Sequence, residues 1–380
     1  MNTQNQLHVI SKSSLSSGGE AVAAVGYIES LANEKFSIQL VSNDTPPNLN
    51  TNNILLTQGP SSSNLILNFI SYYLFFKNLF KKEKFNAVHI HGMWTGILFA
   101  AAIHAKKNGV PIIISPHGCL QSLALGRKPI RKFFALSTYQ GWILNSAKLF
   151  VATSDLEYQA IKLRGLPHPI AIIPIGISPY VPLYPPTPRE KVILFLSRLD
   201  PGKGLADLID AWKLVRDPNW KIVIAGSGND QFSEFIRDRI VLEGLESEIK
   251  LIGHVEDAEK KRAFDQSSLF ILPTYSENFG IAIAEALNAG LPVITTTGSP
   301  WKDILTYGCG WWINPGVDNI AIALKEAISC HPSLLKAMGF RGQKLISDKY
   351  SPELVKLRAE TISKWVVNPS TKKPDFFMDS

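Results

Sequence analysis

Two carboxylates flank a strand-to-helix junction in the second half of the chain. Glu277 follows the apolar run 269–273, and Glu285 lies eight positions after it. Residues 281–289 are rich in good helix formers, and Gly280 precedes them where the backbone turns closely. A helix N-terminus leaves backbone N–H groups unpaired and carries partial positive charge, so it is a natural seat for phosphate. A carboxylate beside it suits sugar or ribose hydroxyls, because ionised glutamate only accepts hydrogen bonds.

A second strand-to-helix junction supplies positive charge. Arg198 and Lys203 lie in a glycine-containing loop that follows the apolar run 192–196 and precedes a helical pattern over 205–212. Arg198 offers a planar fork of donors and Lys203 a mobile point charge, which together suit a diphosphate. A single glutamate is ordinarily a solvated surface residue. The two junctions taken together favour a nucleotide-diphosphate site.

Length and composition indicate a folded protein with two domains. The chain has 380 residues, too many for one ordinary core, and 45% of them are hydrophobic while 19% are charged. Three widely separated cysteines, Cys119, Cys309 and Cys330, argue against a disulfide framework or a zinc site. The N-terminus is polar, and no apolar run approaches the length that spans a bilayer. These features predict a cytoplasmic protein, and peripheral attachment to the inner face of the plasma membrane stays open.

The net charge of +7 and the pI of about 9.1 imply an acidic partner. Nucleotide diphosphates, anionic lipid and nucleic acid all have this chemistry. The sequence has no zinc finger, no RNP aromatic motif and no basic heptad region, so charge alone supports nucleic acid. We therefore expect no nucleic-acid partner.

Strands and helices alternate through the first half, which predicts a parallel, doubly wound sheet. The predicted strands cover residues 7–10, 38–41, 53–56, 87–90, 112–115 and 149–152. Ligands of such sheets gather at the carboxyl ends of the strands. Three loops there are predicted to form one wall of a ligand site: the loop with Gly18 and Gly19, the loop 89–94 and the loop 116–118. By itself, a Gly-Gly pair indicates only a tight turn.

The second half predicts another Rossmann-like sheet, so the active cleft should lie between two domains. Its predicted strands cover residues 192–196, 221–225, 249–252, 269–272 and 293–296, and Gly310-Trp311-Trp312 is interpreted as loop. The proline-dense stretch between the halves is predicted to be a linker. The predicted boundaries are 1–177 for the first domain, 178–190 for the linker, 191–349 for the second domain and 350–368 for a C-terminal helix.

Three histidines follow or end strands of the first half. His117 stands after a predicted strand, where a cleft is expected, although a lone histidine is most often structural. His89 and His91 have a spacing that also suits metal ligands. Because the sequence offers no third ligand beside them, we favour structural or acceptor-contacting roles. Ser154 and Glu157 fit a capping box, which is a structural role.

Residues 64–84 are dense in aromatic side chains and end in lysines. An interfacial helix on anionic lipid has this composition, and so does an ordinary helix with one buried face. Both interpretations stay open. A second basic group adds to the membrane interpretation; it comprises Arg127, Lys128, Arg131 and Lys132.

The 197–204 loop, taken with Glu277 and Glu285, resembles the C-terminal half of the retaining GT-B glycosyltransferases known as family 4. The resemblance extends over nearly the whole chain, with its strongest motifs in the second half. It implies an α/β protein of GT-B architecture, in which two Rossmann-like domains face a central cleft. The first domain would bind the acceptor and the second the nucleotide sugar, and the C-terminal helix would cross back to the first domain. It also implies transfer of a hexosyl group from a UDP- or GDP-linked sugar to a hydroxyl acceptor. A lipid-linked oligosaccharide of bacterial surface polysaccharide or lipopolysaccharide synthesis is the expected acceptor.

The resemblance also implies roles for individual residues. Arg198 and Lys203 would neutralise the departing diphosphate, assisted by the helix N-terminus. Glu285 would hold the ribose hydroxyls and Glu277 the donor sugar, and His117 would be a hydrogen-bonding partner at the reaction centre. The remaining expected donor contacts are Asn278, Phe279, Gly280, Gly253, His254 and Val255, and Gly18 and Gly19 would bind the acceptor or a phosphate.

Ile175 departs from the family pattern, which usually has asparagine at that position, so a ligand role there is doubtful.

The sequence contains no D-x-D triplet, the usual carboxylate clamp for a metal-bound diphosphate. We therefore expect no metal and no other cofactor, the nucleotide sugar being a substrate. Two other functions remain open. A nucleotide-sugar epimerase can share the architecture, and a basic binding protein without catalysis would explain the charge but leave Glu277 and Arg198 unexplained.

Overall fold

The computed structural model describes residues 3–14, 18–44, 49, 53–60, 65–183, 189–228, 230–369 and 373–378. The chain divides into two compact units. The first unit contains residues 1–176 and 352–380, and the second contains residues 177–351.

The first unit is built on an eight-stranded sheet. Its strands are β1 (Gln4–Ile10), β2 (Phe36–Ser42), β3 (Ile54–Gln58), β4 (Ala87–His91), β5 (Ile112–Ser115), β6 (Leu149–Ala152), β7 (Ile170–Ile172) and β14 (Phe377–Met378). Their order is β14-β7-β6-β5-β4-β1-β2-β3, and every pairing is parallel except β14 with β7. β4, β5 and β6 are buried along their whole length, as expected of apolar strands covered by helices on both faces.

Helices cover both faces of this sheet. They are α1 (Gly19–Leu31), α2 (Leu65–Lys82), α3 (Gly96–Lys107), α4 (Ser122–Gly126), α5 (Pro129–Ser137), α6 (Tyr139–Asn145), α7 (Asp155–Lys162) and α15 (Pro352–Val367). One core contains the buried faces of α2, α3 and α6. The other contains α1 and α15, where Val355, Ala359, Ile362 and Val366 pack in the same cluster as Tyr27, Ile28 and Leu31.

The second unit has a six-stranded, wholly parallel sheet. Its strands are β8 (Val192–Leu196), β9 (Lys221–Ala225), β10 (Ile249–Gly253), β11 (Leu269–Leu272), β12 (Val293–Thr296) and β13 (Gly310–Ile313), in the order β10-β9-β8-β11-β12-β13. Its helices are α8 (Leu205–Val215), α9 (Asp230–Leu242), α10 (Asp257–Gln266), α11 (Ile281–Asn288), α12 (Asp303–Tyr307), α13 (Val317–Ser329) and α14 (Pro332–Lys349). The prediction of two Rossmann-like sheets is confirmed.

The interpretation of residues 310–312 as loop is wrong, because they form the edge strand β13. Gly310 pairs with Val293 of β12, and a Cβ atom at Gly310 would collide with the Val293 carbonyl group. Glycine and tryptophan together carry no strand periodicity, so only the neighbouring strand identifies this segment. The short strands β7 and β14 also escaped prediction.

The aromatic segment 64–84 forms α2 from Leu65 onward, while Asn64 lies outside the described residues. Tyr72 and Phe76 are buried in the core, which favours the interpretation as an ordinary helix. The opposite face still exposes a stripe of apolar side chains at Leu67, Ile70 and Leu74. Across the described part of the chain, no helix combines the length and apolar character needed to cross a bilayer.

The predicted linker lies within the second unit, although residues 184–188 fall outside the described part. Before that gap the chain is anchored to α10. Tyr180 Oη donates to Asp265 Oδ1 at 2.9 Å, and the Leu183 amide donates to Asp265 Oδ2 at 2.9 Å.

Candidate active site

In the second unit, two neighbouring strands deliver the predicted cationic and acidic loops to the same edge of the sheet. β8 and β11 pair in parallel, so the loops that follow them emerge side by side. The Tyr275 amide donates to the Gly202 carbonyl oxygen at 2.9 Å, which fastens the two loops together. Gly204 has φ 71°, and a Cβ atom there would collide with the Pro273 carbonyl oxygen. Glycine is therefore required where the loops cross.

Lys203 and Glu277 form an ion pair between these two loops. Their side chains are 17% and 14% exposed, so the pair is only partly screened by water. Arg198 is 64% exposed and lies 4.0 Å from Asp200. The predicted phosphate cation and the predicted sugar carboxylate thus neutralise each other. Arg198 stands open to solvent beside them.

The N-terminus of α11 opens beside Glu277. Gly280 is its N-cap at φ 84°, a left-handed conformation that glycine adopts without strain. The Trp301 indole donates to the Phe279 carbonyl oxygen at 2.5 Å and so fixes the turn before the helix. Phe279 is buried, and Asn278 is half-buried. The first amide groups of α11 have no partner within the helix, which is the arrangement expected for an anion seat.

Glu285 lies one helical turn inside α11 and is half-buried. It accepts a hydrogen bond from Lys260 Nζ of α10 at 2.7 Å. Sequence reasoning did not single out Lys260. Its pairing with Glu285 repeats the arrangement of Lys203 with Glu277, so both predicted hydroxyl-binding carboxylates carry a lysine partner.

The predicted donor contacts Gly253, His254 and Val255 lie on the other side of β8 from Glu277, at the carboxyl end of β10. A Cβ atom at Gly226 would collide with the Ser197 carbonyl oxygen, and the Gly226 amide donates to the Gly253 carbonyl oxygen at 2.6 Å. Gly253 and His254 are exposed, and Val255 is half-buried. His254 Nε2 contacts Glu256 Oε1 at 2.8 Å. Gly226 follows β9, so it allows the loop after β9 to approach both the loop after β8 and the end of β10.

In the first unit, Gly18 and Gly19 are exposed where α1 begins, while residues 15–17 before them lie outside the described part. Sequence reasoning missed Glu20, the next residue. Its carboxylate packs against Gly92, where a Cβ atom would collide with Glu20 Oε1. Burial raises the pKa of Glu20 to about 7. The loops after β1 and β4 thus bring a carboxyl group to the predicted wall.

The His117 loop is held by Glu157 of α7. His117 has φ 51°, which is rare for a residue with a side chain, and Gly118 follows with φ 80°. Glu157 Oε1 accepts from the Gly118 amide at 2.8 Å, and Glu157 Oε2 accepts from the Thr153 amide at 2.7 Å. Ser154 Oγ caps the Glu157 amide at 3.2 Å as predicted. The purely structural interpretation of Glu157 is incomplete, because this side chain fixes the predicted reaction-centre loop.

The expectation that His89 and His91 lack a third ligand is wrong. His8 of β1 lies in register with His89, and one ligand atom from each of these three buried histidines lies within 4.8 Å of the others. His8 is distant in sequence, so only strand pairing brings it here. The His89 and His91 rings are stacked at 4.1 Å, and His8 Nδ1 contacts His91 Nε2 at 3.0 Å. Nitrogen lone pairs lie in the ring planes, so stacked rings do not aim them at one common ion. The contact between His8 and His91 is at hydrogen-bond distance. These histidines therefore form a hydrogen-bonded cluster.

Comparison with known proteins extends these observations. A sequence profile described as "Glycosyltransferase Family 4" matches residues 17–180, and one described as "Glycosyl transferases group 1" matches residues 184–345. An uncharacterized glycosyltransferase of Methanocaldococcus jannaschii is 24% identical over 82% of this chain and 85% of its own length.

Two relatives have more specific descriptions. The GDP-mannose:cellobiosyl-diphosphopolyprenol alpha-mannosyltransferase of Xanthomonas campestris is 25% identical over 58% of each chain. The phosphatidyl-myo-inositol mannosyltransferase of Mycolicibacterium smegmatis is 29% identical over 63% of this chain and 61% of its own length. The match therefore spans less than two thirds of either of these relatives.

Solved structures of low identity show the fold. Anabaena HepE in complex with UDP-glucose has a TM-score of 0.77 at 17% identity, covering 95% of this chain and 99% of that one. WaaG, a glycosyltransferase involved in lipopolysaccharide biosynthesis, has a TM-score of 0.71 at 15% identity, covering 96% of this chain and all of that one. With both halves matched by profiles and the fold shared with these structures, the chain belongs to the family 4 glycosyltransferases and has the GT-B fold.

Proposed function

We propose that this protein transfers a hexosyl group from a UDP- or GDP-linked sugar to a hydroxyl acceptor with retention at the anomeric carbon. The observation that carries the proposal is the meeting of Arg198, Lys203, Glu277 and the α11 N-terminus at the ends of β8 and β11. Cations and free amide groups suit a diphosphate, while carboxylates suit hydroxyl groups. An epimerase or a simple binding protein has no specific observation in its favour.

The proposed chemistry breaks the bond between the anomeric carbon and the diphosphate and forms a bond to the acceptor oxygen, whose proton passes to a phosphate oxygen of the departing diphosphate. Arg198, Lys203 and the first amide groups of α11 stabilise the negative charge that develops on the departing diphosphate. One well-placed donor of this kind is worth about 2.7 to 4 kcal/mol of barrier. Glu285 holds the ribose and Glu277 the sugar, so the carboxylates position the donor and do not attack it. His117 is proposed to contact the sugar from the first unit.

Thermal shift with a panel of UDP-, GDP- and ADP-sugars tests the donor site. We expect one nucleotide to stabilise the wild type by several degrees, because a ligand at a hundred times its Kd adds about 2.7 kcal/mol. The shift should vanish in Arg198→Ala and persist in Arg237→Ala, which removes another exposed arginine on α9. A folded wild type that responds to none of the nucleotides would contradict the donor site. With the donor known, NMR of the product tests retention, and inversion would contradict it.

We also propose that transfer needs no metal. The diphosphate charge is met by Arg198, Lys203 and a helix N-terminus, which do the work that a divalent ion does elsewhere. Activity should therefore persist within about twofold after dialysis against EDTA. Loss of activity that manganese or magnesium restores would overturn this prediction.

A lipid-linked glycan of bacterial surface polysaccharide synthesis is our proposed acceptor. One of the two relatives described above is named for a cellobiosyl-diphosphopolyprenol and the other for phosphatidyl-myo-inositol. All three cysteines of the chain lie in its described part and are unpaired, which suits a reducing compartment. We therefore propose that the enzyme acts from the cytoplasmic side of a membrane as a peripheral protein.

Helix α5 is proposed to dock on an anionic bilayer. Ile130, Phe133 and Phe134 recur at helical spacing and are 71%, 67% and 64% exposed. No residue described in α5 is buried. Its basic neighbours are Arg127, Lys128, Arg131 and Lys132. An apolar face beside cations is the composition of an interfacial helix, so this second basic group supports the membrane interpretation more strongly than α2 does.

Vesicle sedimentation tests this docking. Phe133→Ser together with Phe134→Ser should weaken binding to phosphatidylglycerol-containing vesicles at least tenfold, because each buried phenylalanine is worth about 1.5 to 3 kcal/mol. Phe340→Ser removes an equally exposed phenylalanine from α14 and should leave binding unchanged. Equal binding by the double variant and the wild type, or no binding by the wild type at low salt, would contradict docking through α5.

A further inference from the structure

Three imidazoles form a continuous hydrogen-bonded chain from the His117 loop into the centre of the first sheet. His117 Nε2 contacts His91 Nδ1 at 3.1 Å, and His91 Nε2 contacts His8 Nδ1 at 3.0 Å. The rings of His91 and His117 are nearly parallel, with an interplanar angle of 13°. His8 and His91 are buried, and His117 is half-buried. The middle ring therefore uses both of its nitrogens within the chain.

Burial favours the neutral form of each of these rings. Burial lowers the pKa of His8 to about 3, and burial also lowers the pKa values of His91 and His117. A neutral imidazole carries one N–H group and one lone pair. Each nitrogen-to-nitrogen contact in the chain needs one donor and one acceptor.

These requirements leave only two proton arrangements. If His8 donates from Nδ1, His91 accepts at Nε2 and must donate from Nδ1, so His117 also carries its proton on Nδ1. If His117 donates from Nε2, the same reasoning places every proton on Nε2. The three rings must therefore share one tautomer and can change it only together.

The nitrogen atoms at the two ends of the histidine chain show what this coupling affects. His117 Nδ1 and His8 Nε2 are buried and have no hydrogen-bond partner among the described residues. A buried polar atom without a partner is costly, which is expected where a ligand supplies the partner. His117 also lines a cavity of about 20 Å³ with His91, Ser115, Thr153 and Tyr27. His117 Nδ1 is then the ring nitrogen left for a hydroxyl group.

We propose that His8 and His91 are positioning residues, which fix the ring of His117 and decide whether its Nδ1 offers the donor sugar a proton or a lone pair. This inference rests on the proposed function, since it assumes that His117 meets the sugar. His8 acts through His91 without touching the substrate. The control is exerted from the first strand of the chain, more than a hundred residues before His117.

Long-range 15N–1H spectra of the protein labelled with 15N-histidine test the chain directly. At pH 7.5 we expect His8, His91 and His117 to show the same tautomer in the wild type. Mixed tautomers among them would overturn the proposal. This measurement needs no variant and no activity assay. It therefore tests the hydrogen-bonded chain of histidines even if a substitution at His8 prevents folding.

Two substitutions at His8 then test the positioning role. His8→Phe keeps a ring but removes Nδ1, and we expect a changed or mixed tautomer at His117 and a kcat about tenfold lower with a nearly unchanged donor KM. His8→Asn places an amide near the position of Nδ1 and should restore most of kcat. An unchanged His117 spectrum or an unchanged kcat in His8→Phe would overturn the positioning role. If the spectra behave as expected and no donor binds at all, the proposed function fails while the tautomer coupling stands.

Discussion

Replacing Lys203 with alanine should lower kcat/KM for the nucleotide sugar by about a hundredfold to a thousandfold. One well-placed donor to a developing negative charge is worth about that factor. The substitution also removes the Lys203 ammonium group from beside the Glu277 carboxylate, which is 14% exposed. An enclosed charge that loses its partner is destabilising, so the loop after β11 should lose its fixed position as well. Initial-rate kinetics with the donor identified by the nucleotide panel measure the effect.

Lys213→Ala is the matched control for this prediction. Lys213 pairs with Glu243 at 2.7 Å, but their side chains are 38% and 30% exposed and lie away from the site. Exposed pairs of this kind are worth about 0.2 to 1 kcal/mol, so activity should stay within a factor of two. A Lys203→Ala enzyme that keeps more than a tenth of wild-type kcat/KM would contradict the assignment of Lys203 to the diphosphate.

Acidification from pH 7.5 to 5 should destabilise the protein. Burial places the pKa of His8 at about 3, and it places those of His89 and His91 well below 6.5. Their stabilisation is complete above the unfolded pKa of about 6.5 and is lost as the pH falls below it, because only the unfolded chain takes up the protons. His8 contributes about 2 kcal/mol of this loss by pH 5, and His89 and His91 add to it in the same direction. Urea unfolding at the two pH values measures the difference.

The carboxyl group of Glu20 has the opposite effect from the histidines and stabilises the folded state on acidification. Its folded pKa of about 7 lies above the unfolded value, so the folded state holds an extra proton between about pH 4.5 and 7. Its contribution grows as the pH falls through that window and offsets about 2 to 3 kcal/mol of the histidine loss at pH 5. The Glu20→Gln variant should therefore lose more stability on acidification than the wild type. Equal stability of the wild type at pH 7.5 and 5 would contradict the neutral state of the buried histidines.

Much of the fold follows from local patterns in the sequence. The buried strands β5, β6 and β11 are short, apolar and bounded by turn residues, so sequence reasoning placed them at their observed bounds. β13 was not predicted, because only its pairing with β12 identifies it as a strand and its sequence has no strand pattern. β14 depends in the same way on the partner strand β7.

The same distinction between local patterns and long-range pairing applies to the candidate site. Arg198, Lys203 and Glu277 were predicted from loop position, which local sequence reveals. The ion pair between Lys203 and Glu277 joins loops 74 residues apart, and the support of Gly118 by Glu157 spans 39 residues. His8 meets His91 across 83 residues. Distances of this kind depend on sheet order, which no single segment encodes.

The arrangement of the units along the chain has a consequence for the order of folding during synthesis. The first unit is completed only by α15, whose Val355, Ala359, Ile362 and Val366 share a core cluster with residues of α1. The second unit, residues 177–351, has by then been translated in full. Because domains fold as units when their sequence has emerged, the later half of the chain can mature while the earlier half still lacks its last core helix. A chain that ends at residue 351 should therefore contain the second unit with its fold complete and a first unit whose α1 surface is still uncovered.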